Sequence, residues 1–386
     1  MKSDILSLYY RLMKTRHVYI HFPFCVSKCP YCDFFSIPVT DRCVHYKYKD
    51  YLFKEISSYG SLISDEIDSL YFGGGTPSLL EPEILSKIIS RFGISKNTEV
   101  TLEVNPATAD IVKLQGFHEA GVNRISIGSQ SFINSDLRIL GRSHSAEDIY
   151  ECYENSRKAG FKNISLDLII GVPGQSSASV IFNANEILKL DPEHVSAYIL
   201  TYYDKTPFAK KLENGTLVKL DDDTEMEYFD LTSEILEKKG ITKYEISNFS
   251  KKGFGSKHNS NTWDFGNYLG FGASAHSFVN GIRWKNPGSV ENWYYSVVNR
   301  SIGYKENPKE DDRTLKSEFV MLGLRKTEGM SIDSYNKYFQ SDFLKEFENK
   351  LDHYFRNKAV LAVEGKLKLN PERFSIFNTI VSDIIF

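Results

Sequence analysis

HVYIHFPFCVSKCPYCDFFS, residues 17–36, carries Cys25, Cys29 and Cys32 in the spacing C-x3-C-x2-C. The run 18–22 is β-like and leads into the first cysteine. Pro23 and Pro30 disfavour a regular helix through the cysteines, because proline lacks an N–H and restricts the residue before it. The thiols therefore belong on a loop leaving a strand, and a loop can turn several sulfurs toward one centre. Three thiolates without a nearby fourth suit an iron–sulfur cube with one iron left open, since such a cube is normally closed by four. Two other readings use the same residues. One is a zinc knuckle completed by His21, His45 or Cys43. The other is three unrelated buried thiols.

The 386-residue chain is long enough for a large core and for two or three domains. With 41% hydrophobic and 25% charged residues, its composition is that of an ordinary globular protein. A net charge of −3 gives no electrostatic reason to expect nucleic acid or an anionic membrane. Five cysteines, three of them crowded together, argue against a secreted disulfide framework. Cys43 and Cys152 then read as unpaired thiols in a reducing cytoplasm. Residues 1–16 lack the apolar core of a signal peptide, and no run approaches the ~20 apolar residues of a membrane span. The expected location is cytoplasmic.

Beyond the cysteines, strand and helix patterns alternate with short connections. Strands are expected at 69–72, 99–105, 124–130, 163–170 and 194–202. Helices are expected at 44–60, 81–91, 109–120, 134–140, 146–159 and 177–189. That alternation is the signature of a parallel sheet, either doubly wound or an α/β barrel. Glu103, Gln130 and Asp167 fall near the C-terminal ends of three strands, where barrel sites are assembled, and favour the barrel. A helix at 224–239 and a strand at 243–249 complete a first domain, 1–247. Residues 248–309 are rich in Gly, Asn and Ser and read as a loop-rich segment. Residues 310–386 read as a mainly helical, winged-helix-like domain with helices near 312–325, 331–339 and 342–357 and a turn at Glu364-Gly365. Phe377, Ile380, Val381, Ile384 and Ile385 keep helical spacing in a final packed helix.

The cysteine spacing after a strand, with Tyr31 before the third cysteine, resembles the radical S-adenosylmethionine (SAM) superfamily. The wording IHFPFC-x3-CPYCDF resembles the group that holds oxygen-independent coproporphyrinogen III oxidases and the HemW-type heme chaperones. The resemblance implies an α/β fold with a partial (β/α)6 TIM-type barrel. It also implies a [4Fe–4S] cluster on Cys25, Cys29 and Cys32, with SAM chelating the open iron and cleaved by electron transfer from the cluster. The Gly73–Pro77 loop is then set against the methionine end. Further contacts are implied at Tyr19, Tyr31, Gly74, Gly75, Thr76, Glu103, Gln130, Arg142 and Asp167. Arg142 suits the methionine carboxylate; its plain alternative is a solvated charge at a helix end.

His258-Asn259-x-x-Thr262-Trp263 resembles the HNxxYW motif of the heme chaperones, which is implicated in handling heme. The motif offers an imidazole for iron and an indole to stack on a flat ring. It departs from the pattern at Thr262, and His276 is a competing ligand nearby. The oxidases carry a further cysteine two residues after the third, where this chain has Phe34. They also carry a longer stretch before the first strand, where this chain has about 17 residues. Both differences point to the chaperone branch. The expectation is a heme chaperone that binds heme, a [4Fe–4S] cluster and SAM and passes heme to acceptor proteins. A flavodoxin or ferredoxin would donate electrons if the cluster is reduced, no nucleic acid is involved, and a membrane is met only through an acceptor. The alternative is oxidative decarboxylation of coproporphyrinogen III.

Overall fold

β1 (His17–Phe22) sets the plan of the molecule. Val18, Ile20 and Phe22 are buried in the main hydrophobic core, while Tyr19 and His21 bond to one another at 3.1 Å and face the barrel interior. The computed structural model describes residues 14–39, 41, 43–299 and 307–385. The expectation of no signal peptide rests largely on residues outside that range.

β1 pairs in parallel with β2 (Ser69–Gly74), and β2 with β3 (Glu99–Val104). β4 (Arg124–Gln130), β5 (Ile164–Ile170) and β6 (His194–Ile199) continue the series in chain order. The connections are α1 (Cys43–Ser58), α2 (Pro82–Ile89), α3 (Ile111–Glu119), α4 (Asn134–Ile139) with α5 (Ala146–Lys158), and α6 (Ser177–Leu190). Their local chemistry is plain. Ser145 and Asp148 form a capping box at the start of α5, and Ser176 and Ser179 do so for α6, satisfying amides that a helix leaves unpaired. Leu70, Phe72, Val100, Leu102, Ile125 and Ile127 share the core beneath the helices.

The sheet has nine strands and stays open. β9 (Leu269–Phe271) extends it beyond β1 in parallel. Beyond β6 an antiparallel hairpin, β7 (Thr242–Glu245) and β8 (Asn248–Ser250), ends it. This is the expected partial barrel of six strand–helix units, with additions at both edges. The single strand expected at 243–249 is corrected to that hairpin, because Glu245 accepts from the Ser247 amide at 2.9 Å and reverses the chain there.

The loop-rich reading of 248–309 is also corrected. The segment holds β8, α8 (Lys257–Trp263), β9, the hairpin β10 (His276–Val279) and β11 (Ile282–Lys285), and α9 (Val290–Val298). Leu269, Phe271, Trp284 and Trp293 belong to the same core as β1. Its small residues serve close packing and capping. A Cβ on Gly272, at φ 99°, would lie 2.4 Å from the Tyr48 hydroxyl, and the Ser256 side chain caps α8. The expected span includes residues 300–306, which lie outside the described set.

α7 (Asp222–Glu237) covers the far side of the barrel. The C-terminal part is built on α10 (Asp312–Leu324), with shorter helices and a three-stranded antiparallel sheet. The turn at Glu364-Gly365 joins two of these strands, which the sequence reading missed. The helix expected at 342–357 breaks at Phe347. α11 (Phe377–Ile385) buries Phe377, Ile380, Val381 and Ile384 in the same cluster as Leu315 and Val320 of α10.

Candidate cofactor site at the strand ends

The cysteine loop is closed at its base by short parallel pairing of Phe24–Cys25 with Ile37–Pro38. The Ile37 amide donates to Pro23 O at 2.8 Å and the Val39 amide to Cys25 O at 2.9 Å. This holds all three thiols on the wall of a cavity of about 490 Å³ at the carboxyl ends of the strands. Tyr31, Gly74, Gly75, Thr76, Glu103, Gln130, Arg142, Asp167 and Asn259 line the same cavity. Tyr19, His258 and Trp263 are absent from its lining.

Glycine is required where β2 meets the cysteine loop. Gly74 has φ 114°, and a Cβ there would lie 2.7 Å from the His21 ring. A Cβ on Gly75 would lie 2.7 Å from Phe24 O and 3.0 Å from Cys25 Sγ. Backbone thus approaches the thiols where no side chain could stand. Behind it, Glu103 Oε1 accepts from the Tyr71 hydroxyl at 2.9 Å and Oε2 from the Gly74 amide at 3.2 Å. Burial, helped by the charge of Asp167, pushes the Glu103 carboxyl up to about 7. Asp167 accepts from Ser126 Oγ at 3.0 Å and Ser165 Oγ at 3.3 Å, and burial raises its pKa as well.

β4 bulges between Ile127 and Gln130, and Gln130 takes a left-handed φ of 64°. Arg142 approaches the same bulge. One of its terminal nitrogens donates to Gly128 O at 3.2 Å, the other to Cys29 Sγ at 3.5 Å, and its buried Nε has no partner. The reading of Arg142 as a solvated helix-end charge is therefore corrected, since the guanidinium faces the cavity and the thiols.

These features fit a cluster whose open iron takes an amino-acid ligand. Three thiols stand beside a glycine-only backbone cradle, and a guanidinium there keeps an unused buried N–H. The zinc-knuckle donors lie elsewhere. His21 shares hydrogen bonds with Tyr19 and with Phe35 O, the latter at 2.8 Å. The His45 ring packs 5.0 Å from Phe22 and 5.4 Å from Phe24, and Cys43 is exposed at the start of α1. Among the described residues no three His, Cys, Asp or Glu side chains converge on a single-ion site. Burial pushes the Cys32 thiol up to about 11 and also raises Cys25, so a metal bound by these thiols would displace their protons.

The HNxxTW stretch lies at the opposite end of the barrel. Glu99, at the start of β3, accepts from the Lys257 amide at 3.0 Å and the His258 amide at 3.4 Å. A carboxylate at a helix N-terminus satisfies its unpaired amides, and α8 is thereby seated across the barrel floor. His258 is 8% exposed, and its Nδ1 lies 3.2 Å from Ser69 Oγ. It sits 5.2 Å from the Tyr71 ring and 6.1 Å from the Tyr19 ring. Burial takes its pKa down to about 3, leaving a neutral imidazole. Asn259 reaches the cavity from below. Arg325 covers the Trp263 indole at 4.4 Å, and Thr262 Oγ1 turns back to His258 O at 3.3 Å. Of the residues sequence reasoning missed, Tyr71 and Ser126 matter most. Each shares sequence parity with a recognised cavity residue, Tyr71 with Gly75 and Ser126 with Gln130, and that parity could have found them.

The Radical SAM superfamily pattern matches residues 19–181, and the HemN C-terminal domain matches residues 311–375. The heme chaperone HemW of Bacillus subtilis is 35% identical over 376 residues, covering 94% of this chain and 99% of that one. The chain belongs to the HemW family of radical SAM proteins. HemW of Lactococcus lactis is 31% identical, covering 96% of this chain and 97% of its own. The mitochondrial radical S-adenosyl methionine domain-containing protein 1 of Danio rerio is 33% identical, covering 81% of this chain and 73% of its own. Among solved structures, coproporphyrinogen III oxidase (HemN) from Escherichia coli superimposes with a TM-score of 0.84. That match covers 100% of this chain and 93% of the oxidase at 19% identity, and so shows a shared fold. HemW membership carries with it the superfamily's expectation of an iron–sulfur cluster and SAM.

Proposed function

We propose that this protein is a heme chaperone that takes up heme and passes it to heme-accepting proteins. Cys25, Cys29 and Cys32 hold a [4Fe–4S] cluster, and SAM occupies the cavity beside it. When bound, that pair supplies one-electron chemistry at the SAM sulfonium. The chain's own residues have distinct tasks in this reading. The unused Nε of Arg142 is directed to the methionine carboxylate. Glu103 and Asp167 receive hydroxyl and amino hydrogens, and Gly74 and Gly75 admit backbone contact. A flavodoxin or ferredoxin reduces the cluster if it is used, and the site of action is the cytoplasm. Among the described residues no helix is long and apolar enough to cross a membrane.

The observation that carries the chaperone reading over the oxidase is whole-chain likeness to curated HemW proteins at 31–35% identity. Phe34 supports it. Where the oxidases resemble this chain but keep a fourth cysteine, Phe34 stands 68% exposed on the cavity wall. Mixing hemin-loaded protein with a heme-free b-type cytochrome tests the proposal. The Soret band should move from the chaperone's position to the cytochrome's. A protein that takes up no hemin, or never releases it, would overturn the reading.

A further inference from the structure

The cavity at the strand ends extends beyond its thiol side. SAM is assigned to Gly74, Gly75, Arg142 and the carboxylates, which leaves the β6 wall and the depth of the cavity without a role. The β6 wall is apolar and open. Ile169 and Leu200, both buried, line it, and Tyr198 and Tyr203 stand at its mouth, 43% and 48% exposed. Phe34, on the cysteine loop, adds a third exposed ring to the same lining. Exposed apolar surface gathered around one opening marks a place of contact with a ligand.

Deep in the cavity lies Arg124. It lines the same space and is 2% exposed. Its Nε is enclosed without a partner, and the side chain makes no hydrogen bond or ion pair among the described residues. A guanidinium carries five N–H donors and no acceptor. The acids around it already have donors of their own. Glu99 collects the opening amides of α8. Glu103 accepts from the Tyr71 hydroxyl and the Gly74 amide, and Asp167 from the hydroxyls of Ser126 and Ser165. Glu99 and Asp167 offset the Arg124 charge without pairing with it. What Arg124 lacks is an acceptor, and the group a guanidinium holds best is a carboxylate.

Arg124 lies four residues before Gly128 on β4, whose carbonyl Arg142 holds. Its backbone is therefore about 13 Å deeper along the strand. A single ligand that meets both the aromatic mouth and Arg124 must be extended, with a flat apolar ring outside and an acidic arm inside. A porphyrin with its propionates has that form. We infer that heme binds edge-on at the mouth of this cavity, its ring against Phe34, Tyr198 and Tyr203 and one propionate directed down β4 to Arg124. The inference rests on the heme-chaperone reading and specifies where heme binds. It makes heme and SAM neighbours in one cavity, on the β6 side and the thiol side.

Titration of the full-length, cluster-loaded protein with hemin and with hemin dimethyl ester, followed by Soret absorbance, tests it. Wild type should bind hemin roughly tenfold tighter than the ester, whose carboxylates are blocked. Arg124→Gln should raise the hemin Kd by a similar factor and leave the ester's Kd within about twofold, with iron and sulfide content unchanged. Phe34→Ser, at an exposed position, should weaken both ligands alike, by roughly fivefold. An Arg124→Gln protein that keeps the wild-type hemin Kd, or loses both ligands equally as a structural role would require, overturns the inference. Equal wild-type affinity for hemin and its ester does so too, and needs no variant to fold. Each of these leaves the chaperone reading intact. A wild-type protein with no saturable Soret change overturns that reading, and the inference with it.

Discussion

The two ends of the barrel are both polar and both buried, yet they are built in opposite ways. At the floor, several polar groups pair with one another, although Trp263 Nε1 and Arg325 Nε are buried without a partner. Ser69 lies between His17 and His258, at 2.8 and 3.2 Å, and Glu99 collects the opening amides of α8. At the carboxyl end, capacity is left over. Arg142 keeps a buried N–H without a partner, Phe34 is exposed, and three thiols face a cavity. Buried polar groups are normally paired, so unpaired capacity marks a place for a ligand, and closed networks mark structure. Unpaired atoms occur at both ends, and what singles out the cysteine end as a site is the cavity lined by three thiols and Arg142, with the HNxxTW helix closing the barrel beneath it.

The largest expected effect falls at the upper end. Cys25→Ala, Cys29→Ala or Cys32→Ala should abolish the iron–sulfur absorbance and iron content of anaerobically reconstituted protein. A cluster that survives loss of Cys29 would remove the three-thiolate assignment.

At the floor the effect should be on folding and not on cofactor. Glu99→Ala unpairs the Lys257 and His258 amides, and the Arg124 guanidinium, which is 2% exposed, loses its principal opposite charge. Stability should fall by about 2–4 kcal/mol in urea unfolding. A change below about 0.5 kcal/mol would mean α8 is not held by that carboxylate.

pH separates the ends again. Glu103 has its folded pKa raised from 4.5 to about 7, so the fold prefers the protonated form. Its contribution is fully present below the unfolded value, declines as pH rises from 4.5 to 7, and is absent above. The difference is of order 3 kcal/mol. Glu103→Gln should flatten the stability–pH curve between pH 5 and 8. Some slope will persist from Glu55, also raised to about 7. Identical curves for the two proteins would remove Glu103 as a source.

Smaller still, Asp167→Ala should weaken SAM binding by about tenfold, the scale of one charge-assisted hydrogen bond, with cluster content unchanged. Unaltered affinity by equilibrium titration would take Asp167 out of the site.

What the sequence disclosed follows the same division. The upper end was legible because its determinants are local. Cysteine spacing, a glycine run and strand alternation each act within a few residues; alternation placed Glu103, Gln130 and Asp167 near strand ends, and the family resemblance implied their contacts. The floor was not legible. α8 reads KHNSNTW, with no apolar period, and its start is held by Glu99, a strand residue far earlier in the chain. β9 has three residues, too few to alternate, and depends on pairing with β1. The Tyr71–Glu103 bond likewise joins neighbouring strands, so it is visible only once β2 and β3 are in register.

The central claim is that the chain carries heme and does not decarboxylate a porphyrinogen. The direct measurement is anaerobic incubation of cluster-loaded, reduced protein with SAM and coproporphyrinogen III, with vinyl-bearing product quantified against a cluster-free control. The account predicts product indistinguishable from that control in a preparation that still binds hemin. Turnover above the control, lost in Cys29→Ala, would contradict it and make this protein an oxidase.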